Sequence, residues 1–288
     1  MNLAREPSQL EPRPRAVAIG TFDGVHVGHR RILEAVRAAG LASTVVTFDP
    51  HPRIALGYEV ELLTSLERRL ELIEEAGIED VLVLEFDLEL AQRGPDEFAE
   101  GVLRPMGTRA VVAGPNFRFG RGRSGDLALL QRLGFDVRAV PLVENVSSSR
   151  LRDLIRAGEI ERAAKLLGRA PEVEGIVVAG DARGGTLGFP TANLRVDPLL
   201  LVPAHGIYAG AADGRRAAIS IGMNPHYCGE ERRVEAHLLD FEGDLYGLRL
   251  ILQLWRRLRD ERAFDSEKAL VDQIAQDVEE TRAAAPPL

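Results

Sequence analysis

Two histidines three residues apart, His26 and His29, lie in the stretch GTFDGVHVGH (20–29), directly after the apolar run AVAI. Gly20, Gly24 and Gly28 share the stretch and allow a backbone to come close to a ligand. Imidazoles donate hydrogen bonds to phosphate oxygens, and a loop that opens a helix adds free N–H groups and the positive end of the helix dipole. The combination reads as a phosphate cradle built without lysine; a metal-binding pair and an ordinary polar turn are the competing readings. Gly-x-Gly-x-x-Gly does not fit here, so the dinucleotide fingerprint is absent. Of 36 basic residues only Lys165 and Lys268 are lysines, and neither ends a glycine run before Ser or Thr, which removes the P-loop.

A second unusual stretch, GDARGGTLGFPTANL (180–194), carries Thr191 and Asn193 two residues apart, hence on one side of the chain if it is extended. A hydroxyl and a carboxamide oxygen are hard neutral ligands suited to one face of a Mg²⁺ whose other positions go to phosphates and water. The plainer alternative is a loop in which Pro190 sets the turn and Asn193 caps it. Further on, Glu235 alternates with Val234 and Ala236 and therefore faces away from them. On residue type alone, an outward glutamate on a barrel strand reads as a solvated surface carboxylate.

The elements that must carry these groups follow from periodicity. The runs RAVAIG (15–20), ASTVVTF (42–48), DVLVLEF (80–86), RAVVAG (109–114) and DVRAV (136–140) read as buried strands. Between them lie the amphipathic stretches HRRILEAVRAAG, SLERRLELIEEAG, DEFAEGVLRPMG and GDLALLQRLG, read as helices. Alternation of this kind implies a parallel α/β sheet with ligands at the carboxyl ends of its strands. Two short helices, in SSSRLRDLIRAG and EIERAAKLLG, follow. From 175 to 258 the pattern is all strand, with turn signals such as Asp213-Gly214, and suggests a small antiparallel barrel. A last helix, capped by Asp265 or Ser266, puts Leu270, Val271, Ile274 and Val278 on one stripe. The boundary between the two patterns lies near 168–174, giving domains 1–170 and 171–288.

Composition bounds the partners. The chain has 288 residues, 45% of them hydrophobic, and a net charge of −8, so nucleic-acid polymers and anionic membranes are not expected partners. A single cysteine, Cys228, precludes an internal disulfide. The polar, proline-bearing start has no apolar core, and no later run approaches about 18 apolar residues, so neither a signal peptide nor a membrane span is read. The expected setting is cytoplasmic.

GTFDGVHVGH resembles the His-x-Gly-His signature of the nucleotidylyltransferase superfamily, whose histidines contact ATP phosphates. TFDPHP (47–52), GPNFRFGRGRSGD (114–126) and VSSSRLR (146–152) are similar to stretches of the bacterial FAD synthetase branch. The resemblance implies a nucleotide or phosphate set of Gly20, Phe22, Asp23, Gly24, Asn116, Ser147, Ser148 and Arg152, with Ser149 standing where threonine is usual. LGFPTANL resembles the riboflavin kinase fingerprint, which implies that Thr191 and Asn193 hold Mg²⁺ and ATP phosphates, with Gly188 beside them. VEAHLLDFEGDLYG is similar to the segment of that family bearing its catalytic glutamate, here Glu235. Gly185 and His226 depart from the family pattern, where arginine and threonine are common.

The implied fold is a Rossmann-like nucleotidylyltransferase domain followed by a small antiparallel β-barrel riboflavin kinase domain with a C-terminal helix. The implied function is bifunctional: riboflavin is phosphorylated to FMN, and FMN is adenylylated to FAD with release of pyrophosphate. Catalytic residues are then His26, His29 and Glu235; ligands are riboflavin, FMN, FAD and ATP with Mg²⁺. A nucleotidylyltransferase for another phosphorylated alcohol and a flavin carrier without turnover are the competing functions. GFPTAN together with Glu235 argues against the first.

Overall fold

The β-branched runs of the first half become strands of one sheet, because each is apolar on both sides and must be covered on both. The computed structural model describes residues 1–180, 187–223 and 232–288, which pack as two units, Met1–Ser148 and Ser149–Leu288. In the first unit β1 (Asn2–Ala4), β2 (Arg15–Ile19), β3 (Ala42–Asp49), β4 (Asp80–Glu85), β5 (Thr108–Ala113) and β6 (Asp136–Ala139) lie in the order β1-β4-β3-β2-β5-β6, every pair parallel. Helices α1 (Val27–Arg37), α2 (Pro52–Ala55), α3 (Leu66–Glu75), α4 (Leu88–Gln92), α5 (Pro95–Phe98) and α6 (Leu127–Arg132) connect them. Alternate residues of β2 feed two cores: Val17 and Ile19 one, Ala16 and Ala18 the other. β2 is flanked by β3 on one side and, after the chain has passed through β4, by β5 on the other, so the loops after β2 and β5 part at a topological switch point.

Two local readings change. The helix expected over DEFAEGVLRPMG is α-helical only to Phe98 and then runs into a π-helical turn, Ala99–Leu103, with Arg104 N bonded to Ala99 O at 3.0 Å. Pro105 has no N–H to give to the carbonyl four residues back, which removes one α-helical bond there. β1 was not visible in the sequence, since three residues carry too little pattern. It is held by pairing with β4 and by Asn2 Nδ2, which donates to Asp80 Oδ1 at 2.8 Å.

Asp80, the first residue of β4, is the centre of a buried charge cluster at the amino ends of the strands, where Arg15 starts β2. Its side chain is 1% exposed and meets Arg15, 0% exposed, and Arg13 at 2.7 Å. Burial opposes ionisation of Asp80, but hydrogen bonds from Asn2, Arg13 and Arg15 outweigh it and hold the carboxyl below its usual range. A carboxyl depressed on folding contributes stability above its unfolded pKa of about 4, and that contribution is lost as pH falls through the folded value. Asp80→Asn is therefore expected to cost about 3–5 kcal/mol at neutral pH, since it leaves the buried Arg15 short of a counter-charge, while half-exposed Arg13 keeps Glu79 at 3.1 Å. Urea midpoints measured from pH 7 down to pH 3 should converge for the two proteins; parallel curves would show that the pair is energetically silent.

In the second unit α7 (Ser148–Arg156) starts at the junction, and α8 (Ile160–Leu167) follows, with Ile160 in the barrel's own core cluster. Strands β7 (Glu172–Val178), β8 (Ala192–Arg195), β9 (Gly206–Ala212), β10 (Arg215–Met223), β11 (Arg232–Leu238) and β12 (Arg249–Arg259) close an antiparallel barrel in the order β10-β11-β8-β7-β12-β9. β8 comes from the glycine-rich stretch whose alternative reading was a loop. α9 (Glu267–Ala283) is capped by Ser266, whose Oγ accepts from Ala269 N at 3.2 Å. Of its apolar stripe only Val278 is buried, while Leu270, Val271 and Ile274 stay half-covered because a cavity lies beneath part of it.

Candidate active sites

The loop between β2 and α1 is the floor of the first site. His26 is the N-cap of α1, its Nδ1 accepting from His29 N at 3.2 Å. Using the Nδ1 lone pair this way puts the neutral ring's proton on Nε2, so that edge remains a donor. The His29 ring stacks on His26 with centroids 3.6 Å apart and planes 12° apart, and Phe22 leans on it at 5.1 Å. Enclosure pushes His29 well below the usual histidine range, and His26 adds to the effect, so the imidazole is neutral at pH 7. Its Nδ1 is buried and finds no partner among the described residues. Phe22 at φ 51° and Val25 at φ 36° lie in the left-handed region, strain of the kind found where a loop is held for function. Gly24, at φ 81°, also has Leu63 where a Cβ would stand.

Gly20, Phe22, His26, His29 and Asn116 line one cavity of about 250 Å³ at the carboxyl ends of β2 and β5, with Val112 and Phe117 among its apolar walls. Asp23 stands behind it rather than in its lining. It is 1% exposed, and Oδ1 accepts from Leu63 N at 2.9 Å and Thr64 N at 3.2 Å, while Gly24 N donates to Thr64 Oγ1. Ser148 Oγ donates to Asp23 O at 3.0 Å, so this serine braces the same loop; Ser147 is exposed. Arg152 is buried on α7 and falls in the second unit.

Sequence reasoning missed Arg69. Its guanidinium, 4% exposed on α3, donates to Thr21 O at 2.9 Å and Phe48 O at 3.1 Å, joining the cradle loop to the end of β3. Burial lowers its pKa against the pull of Asp23 and Asp49. The signal was present: Arg69 sits on the same helical face as buried Leu72 and Ile73, where an arginine needs a partner.

The second site lies on the outside of the barrel, where α9 covers it. Val234 and Ala236 point into the core, 1% and 0% exposed, and Arg233, Glu235 and His237 form the opposite row of β11. In the strand register Glu235 stands opposite Asn193 of β8 and Ser220 of β10. Arg233 Nη2 lies 2.5 Å from Glu235 Oε1 and donates to Asn193 Oδ1 at 3.4 Å. The Glu235 side chain is 21% exposed, because Phe189, Thr191, His237, Leu270 and Ile274 enclose with it a cavity of about 310 Å³. His237 Nδ1 lies 2.8 Å from Pro190 O, so it carries the proton, and its ring meets Phe189 edge-on at 5.6 Å. Arg259 fastens α9 with a two-pronged pair to buried Asp277 at 2.9 and 2.7 Å. Gly188, at φ 86°, is exposed.

Among the described residues no group of three or more His, Cys, Asp or Glu side chains converges to hold an ion. Asn193 Oδ1, a hard neutral oxygen of the kind Mg²⁺ takes, faces the Arg233 guanidinium, and Gly180 leaves its Cβ space to the Asn193 amide. Gly185 and His226 lie outside the described residues.

Comparison with known proteins bears on both sites. The family model for FAD synthetase matches residues 8–150, and that for riboflavin kinase matches 167–285. Among curated relatives, the bifunctional riboflavin kinase/FMN adenylyltransferase of Pseudomonas fluorescens is 35% identical over 100% of this chain and 99% of its own. Those of Escherichia coli K12, 33% identical over 96% of each, and Listeria monocytogenes, 32% identical over 93% and 92%, carry the same name. A crystal structure described as a macrolide-efflux protein from Streptococcus pneumoniae superposes with a TM-score of 0.88, at 32% identity over 97% of this chain and 98% of that one. Among the described residues no helix is long and apolar enough to cross a membrane.

Proposed function

The chain belongs to the bifunctional riboflavin kinase/FMN adenylyltransferase family, and we propose that its two reactions run in the two cavities described above. It is an enzyme of flavin cofactor synthesis that phosphorylates riboflavin to FMN with ATP and adenylylates FMN to FAD. One observation carries the assignment of sites: among the described residues each cavity is lined by a different motif set, and its lining belongs to one unit.

In the strand-end cavity His26 and His29 contact the ATP phosphates. Adenylyl transfer is an in-line displacement, and the FMN phosphate attacks already ionised, so positioning and charge stabilisation at phosphorus suffice. His26 offers Nε2–H, the start of α1 offers backbone N–H groups, and Arg69 and Ser148 keep the loop in place. Gly20, Phe22 and Asn116 position the nucleotide and flavin, Asp23 and Gly24 shape the loop, and Ser147 serves the phosphates.

At the barrel, the ribityl hydroxyl of riboflavin must lose a proton, and Glu235 takes it. Thr191 and Asn193 would hold Mg²⁺, with Gly188 in the loop beside them. When bound, that ion would neutralise phosphate charge during transfer. His237 keeps the Phe189–Pro190 segment against β11, and the stripe of α9 walls the flavin side of the cavity. Single-cysteine composition and the lack of an apolar spanning helix among the described residues favour a cytoplasmic setting.

The chemistry divides at domains 1–170 and 171–288, and this is open to test with fragments. Because Ile160 belongs to the barrel core, the second fragment should start at Ser149. Fragment 1–170 is expected to convert supplied FMN to FAD, and fragment 149–288 to convert riboflavin to FMN with ATP, as read by chromatography of the flavins. Folded fragments that each lack the assigned reaction, while the intact chain has both, would refute the division.

A further inference from the structure

We propose that Arg233 is a resident cation of the kinase site, which shares Asn193 Oδ1 with Mg²⁺ as a competitor for that oxygen. The proposal rests on the reading of Asn193 as a metal ligand. Arg233 Nη2 carries two N–H groups and reaches two acceptors, Glu235 Oε1 at 2.5 Å and Asn193 Oδ1 at 3.4 Å. Asn193 Oδ1 is the atom that a hard cation would take, at about 2.0–2.1 Å. A guanidinium and a divalent ion on one oxygen would stand within a few ångströms of each other as like charges, so each excludes the other.

The geometry also says which partner moves. The Asn193 side chain fills the space beside Gly180, and its backbone is locked between β7 and β11. Arg233 stands on a long flexible stem with its side chain 29% exposed. It can swing out while Asn193 stays. Arg233 thus supports the two functional side chains and, by competing for Asn193 Oδ1, raises the concentration of free Mg²⁺ at which that site fills. If the open arrangement is populated about one-tenth of the time, the apparent requirement rises about tenfold.

The test is calorimetric titration of ADP into the intact chain over a range of free Mg²⁺. The Asn193→Ala chain, titrated in the same way, supplies the signal of the other nucleotide site to be subtracted. Arg233→Met is expected to lower the half-saturating Mg²⁺ of the kinase site by about tenfold, and its unfolding temperature without metal should fall. A merely structural arginine would act in the opposite direction, since a loosened site needs more metal. An unchanged or increased Mg²⁺ requirement in a folded Arg233→Met chain overturns the proposal. If Asn193→Ala itself leaves the Mg²⁺ dependence of the intact chain unaltered, the metal reading fails first. The two failures are thereby distinguishable.

Discussion

Replacing Glu235 with glutamine is expected to lower FMN formation by about 10² to 10⁴-fold, the range that a general base ordinarily contributes, and to spare FAD formation from supplied FMN. Glutamine keeps the size of the side chain and its capacity to accept from Arg233, so the row Arg233–Glu235–His237 and the wall formed by α9 persist. What disappears is a carboxylate able to take the ribityl proton. Flavin fluorescence titration should find riboflavin binding little changed, which separates a lost base from a damaged pocket. A surface carboxylate with no chemical duty would leave both reactions intact, and an unimpaired kinase would remove Glu235 from the mechanism.

His29→Ala carries the second large effect, in the other direction. FAD formation should fall by about 10² to 10³-fold, equivalent to roughly 3–4 kcal/mol, because loss of one preorganised donor at a centre of developing charge costs that much. FMN formation should not change, since the described residues that line the barrel cavity, Leu187 to Val278, all belong to the second unit. The neutral, enclosed imidazole stacked on His26 is suited to this role: it places its polar edge at the cavity without a fixed charge competing for solvent. Alanine removes that stack as well, so His29→Gln, which retains an amide donor and most of the volume, should recover part of the rate. Equal damage to both reactions would indicate unfolding, which circular dichroism detects; normal adenylylation by a folded His29→Ala chain would exclude the residue.

The two sites were legible to different depths. Placement of His26 and His29 after a strand and at a helix start follows from local pattern, as does the outward direction of Glu235, and both hold in the fold. Local pattern does not reveal that His26 spends one nitrogen capping α1, or that Asp23 turns away to bind the backbone of residues 63 and 64. Arg69 was readable as an oddity on a buried helical face, but its partners, Thr21 and Phe48, lie 48 and 21 residues away along the chain.

Spacing in the chain controls what repeats every two or 3.6 residues: strand faces, helix stripes, caps and the switch from alternating α/β to all-β. These depend on neighbours a few residues apart, and the physics that sets them is local. The pairing of β1 with β4, the closure of the barrel by β8 and the apposition of Asn193 with Glu235 depend instead on register between distant segments. Register is chosen when whole faces are buried at once, and no short window contains that choice. The same holds for Arg15 and Asp80, 65 residues apart, whose pairing offsets their burial only after the sheet has formed around them. It holds equally for Arg233, which on its strand is one more outward charge and meets Asn193 only because β8 carries that residue to its side.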